Sequence, residues 1–84
     1  MSPTERFTAA QDRVKTLKTA PGTDTLLELY ALFKQGTMGD VDGKRPGMLD
    51  LKGRAKYDAW AKRKGLSRDQ AMEAYVALVD KLVG

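Results

Sequence analysis

Helix punctuation constrains this 84-residue chain more than any other feature of its sequence. Ser2-Pro3-Thr4-Glu5 and Ser67-Arg68-Asp69-Gln70 each set a hydroxyl three residues before a Glu or Gln. Each can therefore close a reciprocal capping box at a helix start. Pro3 stands at the first helical position, where its missing N–H costs nothing. After the first box, Phe7, Ala10, Val14 and Leu17 recur at helical spacing until Pro21-Gly22. A second helix is expected from Thr23-Asp24, whose oxygens can cap free N–H groups, to about Met38, with Gly39 as its stop. A third runs from about Leu51 to Lys64, capped by Asp50 and stopped by Gly65; Gly53 weakens its first turn. The fourth carries Met72, Tyr75, Val76, Val79 and Leu82. Nothing reads as strand, so the expectation is an all-α fold in one domain, residues 1–84.

The links between helices suggest a topology. Helices 1 and 2, and helices 3 and 4, are joined by short links and are expected to be antiparallel neighbours. Between helices 2 and 3 lies a polar stretch, Gly39 to Asp50, rich in glycine and interrupted by Pro46. About a dozen residues exceed what adjacent antiparallel helices need. The chain can therefore cross over and let helices 2 and 3 run the same way, giving an up-down-down-up four-helix bundle.

Composition removes several functions. There is no cysteine and no histidine, which excludes disulfides, thiol chemistry, the common zinc sites and Ser-His-Asp systems. Asp40 and Asp42 lack the further spaced oxygens and closing glutamate of a calcium loop. The reading is therefore non-enzymatic, without metal or cofactor. No apolar run approaches the ~18 residues of a membrane span, and no secretory, transit or lipidation signal is visible at the ends. A cytoplasmic protein without stable membrane insertion is expected, and nothing demands more than a monomer. The net charge of +4 suits an anionic partner.

Helix 2 says most about that partner. Leu29, Leu32 and Gly36 fall on one stripe, and Leu26, Tyr30 and Phe33, together with the flanking Leu27 and Lys34, on another centred about 130° away. Glu28, Ala31 and Gln35 occupy the remaining side. The apolar arc spans about 220°, well beyond the ~100° of one core contact. Either the helix is buried on all sides, or one stripe makes the core and the other lines a groove. Lys34 favours the groove, since its stem can cover apolar surface with the ammonium at the rim. On helix 3, Lys52, Lys56 and Arg63 share a stripe within about 40°. That stripe is either a solvated face or an anion site. Lys15 and Lys18 adjoin the apolar stripe of helix 1, and Tyr75 centres that of helix 4. A ligand with a polyanionic head, a flat base and an apolar tail suits such a surface, and coenzyme A thioesters have all three. A nucleic-acid module would use the same lysines, but without a helix-turn-helix spacing or denser basic cluster it is the weaker reading. A bundle meeting a partner helix through the wide apolar arc is a third.

Several segments, in register across the chain, carry a family resemblance. Leu29-Tyr30-Ala31-Leu32-Phe33-Lys34-Gln35-Gly36-Thr37-Met38-Gly39-Asp40 is similar to the Tyr-x-x-Tyr-Lys-Gln-Ala-Thr-x-Gly-Asp segment of the acyl-CoA-binding proteins. Arg45-Pro46-Gly47-Met48-Leu49-Asp50 resembles their Arg-Pro-Gly-Met-Leu-Asp loop. Gly53 to Trp60, Gly65-Leu66-Ser67 and Ala71-Met72-x-Ala74-Tyr75 follow in the expected order. The resemblance implies an up-down-down-up bundle that carries long-chain acyl-CoA and pools it inside the cell. It places ligand binding on Lys15, Leu26, Leu27, Tyr30, Ala31, Leu32, Phe33, Lys34, Lys52, Lys56 and Tyr75. Leu26 and Leu27 would touch the acyl chain or the groove wall. Lys34 and Lys56 would face the 3′-phosphate and its neighbours, with Lys15 nearby. Tyr30, Phe33 and Tyr75 would border the base and phosphates. Phe33 departs from the usual tyrosine, and if that hydroxyl donates to a phosphate, its loss weakens binding by roughly 1.5–3 kcal/mol.

Overall fold

The computed structural model describes residues 2–84; Met1, first residue of the expected domain, lies outside the described residues. Four helices are present, α1 Pro3–Val14, α2 Thr23–Met38, α3 Leu51–Ala61 and α4 Arg68–Val83, with no strand among the described residues. Both capping boxes close. The Ser2 hydroxyl accepts from the Glu5 N–H at 3.2 Å and Glu5 Oε1 accepts from the Ser2 N–H at 3.1 Å. Ser67 and Gln70 repeat the exchange, with 3.1 Å for each bond.

Three helix ends differ from expectation. α1 stops at Val14 rather than reaching Leu17. The chain tightens there into three-residue turns, and the Thr16 hydroxyl takes the Arg13 carbonyl at 2.6 Å, competing with helix continuation. α2 is capped by Gly22, and no side chain caps it, so neither Thr23 nor Asp24 serves the role their oxygens suggested. α3 ends at Ala61, not Lys64; Arg63 N–H and Lys64 N–H bond to Trp60 and Ala61 carbonyls in the tighter pattern. At the start of α3, Asp50 does cap, accepting from the Gly53 N–H at 2.9 Å. A Cβ on Gly53 would collide with the Asp50 carboxylate, so this glycine is what lets the cap fold over the first turn.

Packing also departs from the loop-length argument. α1 packs on α4, α4 on α2, and α2 on α3. The short links reach, but they do not make their helices backbone neighbours. α1 and α2 meet through side chains instead, with Phe7 tilted against Phe33 at 5.9 Å between ring centroids. The bundle is up-down-down-up. Its core joins Phe7 and Ala10 of α1, Leu29 and Leu32 of α2, and Tyr75 and Val79 of α4. Phe7 meets Tyr75 edge-on at 5.0 Å, a favoured arrangement for two rings. Gly36 lets α1 and α4 approach α2, since a Cβ there would lie 3.2 Å from Met72 Cγ and 3.3 Å from Phe7 Cζ.

The third side of α2 is covered as well. Ala31 and Gln35 are 1% and 0% exposed. Gln35 occupies a polar knot: its Nε2 donates to Asp40 Oδ1 and to the Leu66 carbonyl, each at 2.8 Å. Its Oε1 accepts from Trp60 Nε1 at 3.1 Å, and Trp60 Nε1 also reaches the Gly39 carbonyl at 2.9 Å. Every polar atom of the buried amide side chain has a partner, which is what makes its burial tolerable. The loop before α3 is tied down too. Arg45 meets Asp58 through two bonds of 2.8 and 2.6 Å, and the Tyr57 hydroxyl donates to the Gly43 carbonyl at 3.1 Å.

Candidate functional site

Two recesses flank the remaining stripe of α2. One, of about 270 Å³, lies between α2 and α3 and is lined by Thr23, Leu26, Leu27, Tyr30, Lys52, Ala55 and Lys56. Thr23 opens α2 and Lys52 lies in the first turn of α3, so the two helices begin at the same end of the recess. The other, of about 310 Å³, is walled by Val14, Lys15, Pro21, Leu26, Leu29, Tyr30, Phe33 and Tyr75. Leu26 and Tyr30 belong to both and form the ridge between them. Leu26, in the first turn of α2, is 47% exposed.

Charge sits at the margins. Lys56 Nζ lies 5.5 Å from the Tyr30 ring centroid, a cation–π contact across the α2–α3 recess. The lysine over Tyr30 is thus Lys56 of α3 rather than Lys34 of the same helix. Lys34 points elsewhere, with Nζ 3.2 Å from Met38 Sδ and 5.3 Å from the Trp60 ring centroid. Lys15 caps the end of α1 at the rim of the second recess. Tyr75 is 5% exposed, and burial pushes its phenol above the ordinary value.

Of the residues read from the sequence, the structure brings Leu26, Leu27, Tyr30, Lys52 and Lys56 together in one recess and Lys15, Tyr30, Phe33 and Tyr75 in the other. Leu32 is in the core, and Ala31 faces a different hollow between α2 and α3. The basic stripe of helix 3 splits, because α3 ends before Arg63. That arginine pairs instead with Glu28 at 3.3 Å, beside the same hollow. Ala55, Val14, Pro21 and Thr23 line the recesses without having been read from the sequence, as does Leu29, which the sequence assigns to the core stripe. Ala55 carried a usable signal, being a small residue three positions after Lys52 on its face of the helix. Metal-ligand clusters are absent among the described residues, and no helix there is long and apolar enough to cross a membrane.

The arrangement, apolar walls with ammonium groups at the edges, can hold an amphiphile by its tail and its anionic head. Comparison with known proteins points the same way. Residues 4–79 match the family described as Acyl CoA binding protein. Acyl-CoA-binding protein homolog 1 of Caenorhabditis elegans is 60% identical over 77 residues, covering 92% of this chain and 90% of that protein. The acyl-CoA-binding protein homolog of Manduca sexta is 54% identical over 84 residues, covering 99% and 93%. Among solved structures, Acyl-CoA-Binding Protein 2 of Oryza sativa superposes with a TM-score of 0.92 at 38% identity, over 96% of this chain and 88% of that one. On the sequence match, the relatives and the shared four-helix fold together, this chain belongs to the acyl-CoA-binding protein family.

Proposed function

We propose that this protein binds long-chain acyl-CoA thioesters tightly and carries them through the cytoplasm as a monomer, without chemical change and without a cofactor. The observation that carries the reading is the pair of apolar recesses sharing the Leu26–Tyr30 ridge, with Lys15, Lys52 and Lys56 at their edges. In this reading the acyl chain lies against Leu26, Leu27 and Ala55, where each buried CH₂ contributes about 0.8 kcal/mol before ordering costs. The base and phosphates lie toward Tyr30, Phe33, Tyr75 and Lys15. Lys34 joins them by swinging its flexible stem from Met38, and Lys52 and Lys56 meet further phosphate charge. Leu32 and Ala31 act as backing. A single acyl-CoA-binding domain of residues 1–84 would hold the whole site.

Both halves of the ligand are needed for tight binding. Free palmitate offers the tail without the phosphates, and free CoA offers the reverse. Calorimetric titration with palmitoyl-CoA, palmitate and CoA tests this directly. One tight equivalent of thioester, with both fragments far weaker and with affinity falling as salt rises, is the expected result. Equal affinity for CoA and palmitoyl-CoA would remove the tail groove from the reading. Preference for duplex DNA over the thioester would replace it with the nucleic-acid alternative.

A further inference from the structure

The three most exposed large apolar side chains of the described residues cluster in one place. Met48, Leu49 and Leu51 are 78%, 102% and 74% exposed. Met48 and Leu49 occupy the tip of a turn closed by the Asp50 N–H to Gly47 carbonyl bond at 3.1 Å. Turn tips ordinarily carry Gly, Pro, Asn, Asp or Ser, because those residues suit the backbone and water. Single exposed leucines need no explanation, but contiguous apolar surface does. Nor is this a loose loop. Arg45 and Gly43 tie the segment to Asp58 and Tyr57 of α3, and the Asp50 cap fixes the following turn.

The surroundings are basic. From Val41 to Lys56 the chain carries Lys44, Arg45, Lys52, Arg54 and Lys56 against Asp42 and Asp50. Asp50 is turned onto the Gly53 N–H, and Arg45 is spent on Asp58. Lys44, Lys52 and Lys56 make no ion pair among the described residues.

We propose that Met48, Leu49 and Leu51 form a wedge that seats this protein, peripherally and reversibly, on anionic lipid surfaces. Apolar side chains enter the boundary between headgroups and acyl chains while neighbouring lysines meet the lipid phosphates and carboxylates. Met48 would suit a protein interface as well, but Leu49 and Leu51 flanked by lysine fit lipid better, since the cores of protein interfaces favour aromatics, methionine and arginine and are depleted of lysine. Lys52 belongs to both the basic surround and the α2–α3 recess, so docking sets the shared starting end of α2 and α3 against the headgroups.

The test is co-sedimentation of the ligand-free full chain with vesicles of phosphatidylcholine alone or mixed with phosphatidylserine. Pelleting is expected only with phosphatidylserine and declines with salt. Replacing Met48→Ser and Leu49→Ser together lowers the bound fraction at least about fivefold, and Lys44→Glu lowers it too. Neither change alters thermal unfolding or palmitoyl-CoA titration in solution. Equal pelleting of the double variant would mean charge alone and overturn the wedge. No pelleting with phosphatidylserine would overturn it as well and leave the turn for a protein partner. Vesicle binding needs no acyl-CoA, so failure of the carrier reading would show in the titration and leave this result untouched.

Discussion

Leu32 and Leu26 lie on the same helix, yet they are 3% and 47% exposed. On the Leu29–Leu32 side, α4 and α1 close over α2 with Phe7, Tyr75 and Val79. On the Leu26–Tyr30 side, α3 and the end of α1 cover α2 only in part and leave two recesses. One face exchanges its apolar surface for core packing during folding. The other leaves it open, where the proposed ligand would lie. Apolar pattern alone cannot tell these apart, because the residue types are the same.

The largest effect that would break the comparison is a pair of leucine truncations. Leu32→Ala is expected to destabilise by about 3 kcal/mol in urea unfolding, through lost transfer energy and a residual cavity. Leu26→Ala changes stability by less than about 1 kcal/mol, since its side chain is half in water already. It weakens palmitoyl-CoA binding instead, by roughly 1.5 kcal/mol. Equal stability losses at both positions would mean that the open face is ordinary core.

Next is Phe33, which belongs to both regions: it packs on Phe7 and also walls the Lys15–Tyr75 recess. Phe33→Tyr adds a hydroxyl at a half-buried site beside a basic side chain. Affinity for palmitoyl-CoA is expected to rise by about 2 kcal/mol if the new donor reaches a phosphate. Unchanged affinity in calorimetry would show that only the ring surface matters there. Smaller still is Lys56→Met, which keeps the stem and removes the charge over Tyr30. A loss of about 1 kcal/mol in binding with a shallower salt dependence is expected. A salt slope identical to that of the unaltered protein would remove Lys56 from the headgroup contacts.

Much of this was legible in the sequence where the physics is local. Both capping boxes, the Asp50 cap and the stop at Gly39 follow from a few neighbouring residues. The two stripes of α2 follow from helical periodicity. What could not be read depends on distant parts of the chain. Link length bounds how far the chain can reach but does not choose a neighbour, so α1 was expected against α2 and packs on α4 instead. Gln35 falls on the side of α2 that the apolar arc leaves over, and nothing local reveals that Trp60, Asp40 and Leu66 supply its partners. Arg63 was grouped with Lys52 and Lys56 by a helical wheel that the chain leaves two residues earlier. The wheel also set Lys34 beside Tyr30, where the structure sets Lys56.

The polar knot yields the subtlest contrast, because it lies in the segment that carries the family resemblance and yet serves the scaffold. Asp40 Oδ1 accepts from the Gly65 N–H at 2.9 Å and from Gln35 at 2.8 Å. The Gly65 bond first, then Gln35, hold its carboxyl below the ordinary aspartate value, against a smaller opposing effect of burial. A carboxyl whose folded value lies below its unfolded one stabilises the fold above the unfolded value, about 3.9 for aspartate, and loses that contribution as pH falls through the folded value. Asp40→Asn is therefore expected to lower the thermal midpoint near pH 6 and to converge with the unaltered protein as pH falls below about 4. Glu5 and Asp58 are lowered too, by Ser2 and Arg45, so both proteins retain some acid sensitivity and the difference between their curves isolates Asp40. Parallel curves down to about pH 2 would remove the linkage. The same variant also separates scaffold from site. Palmitoyl-CoA affinity unchanged at pH 7 keeps Asp40 and Gln35 on the closed side of the comparison. A loss of affinity in a folded Asp40→Asn protein would move the far end of α2 into the open one.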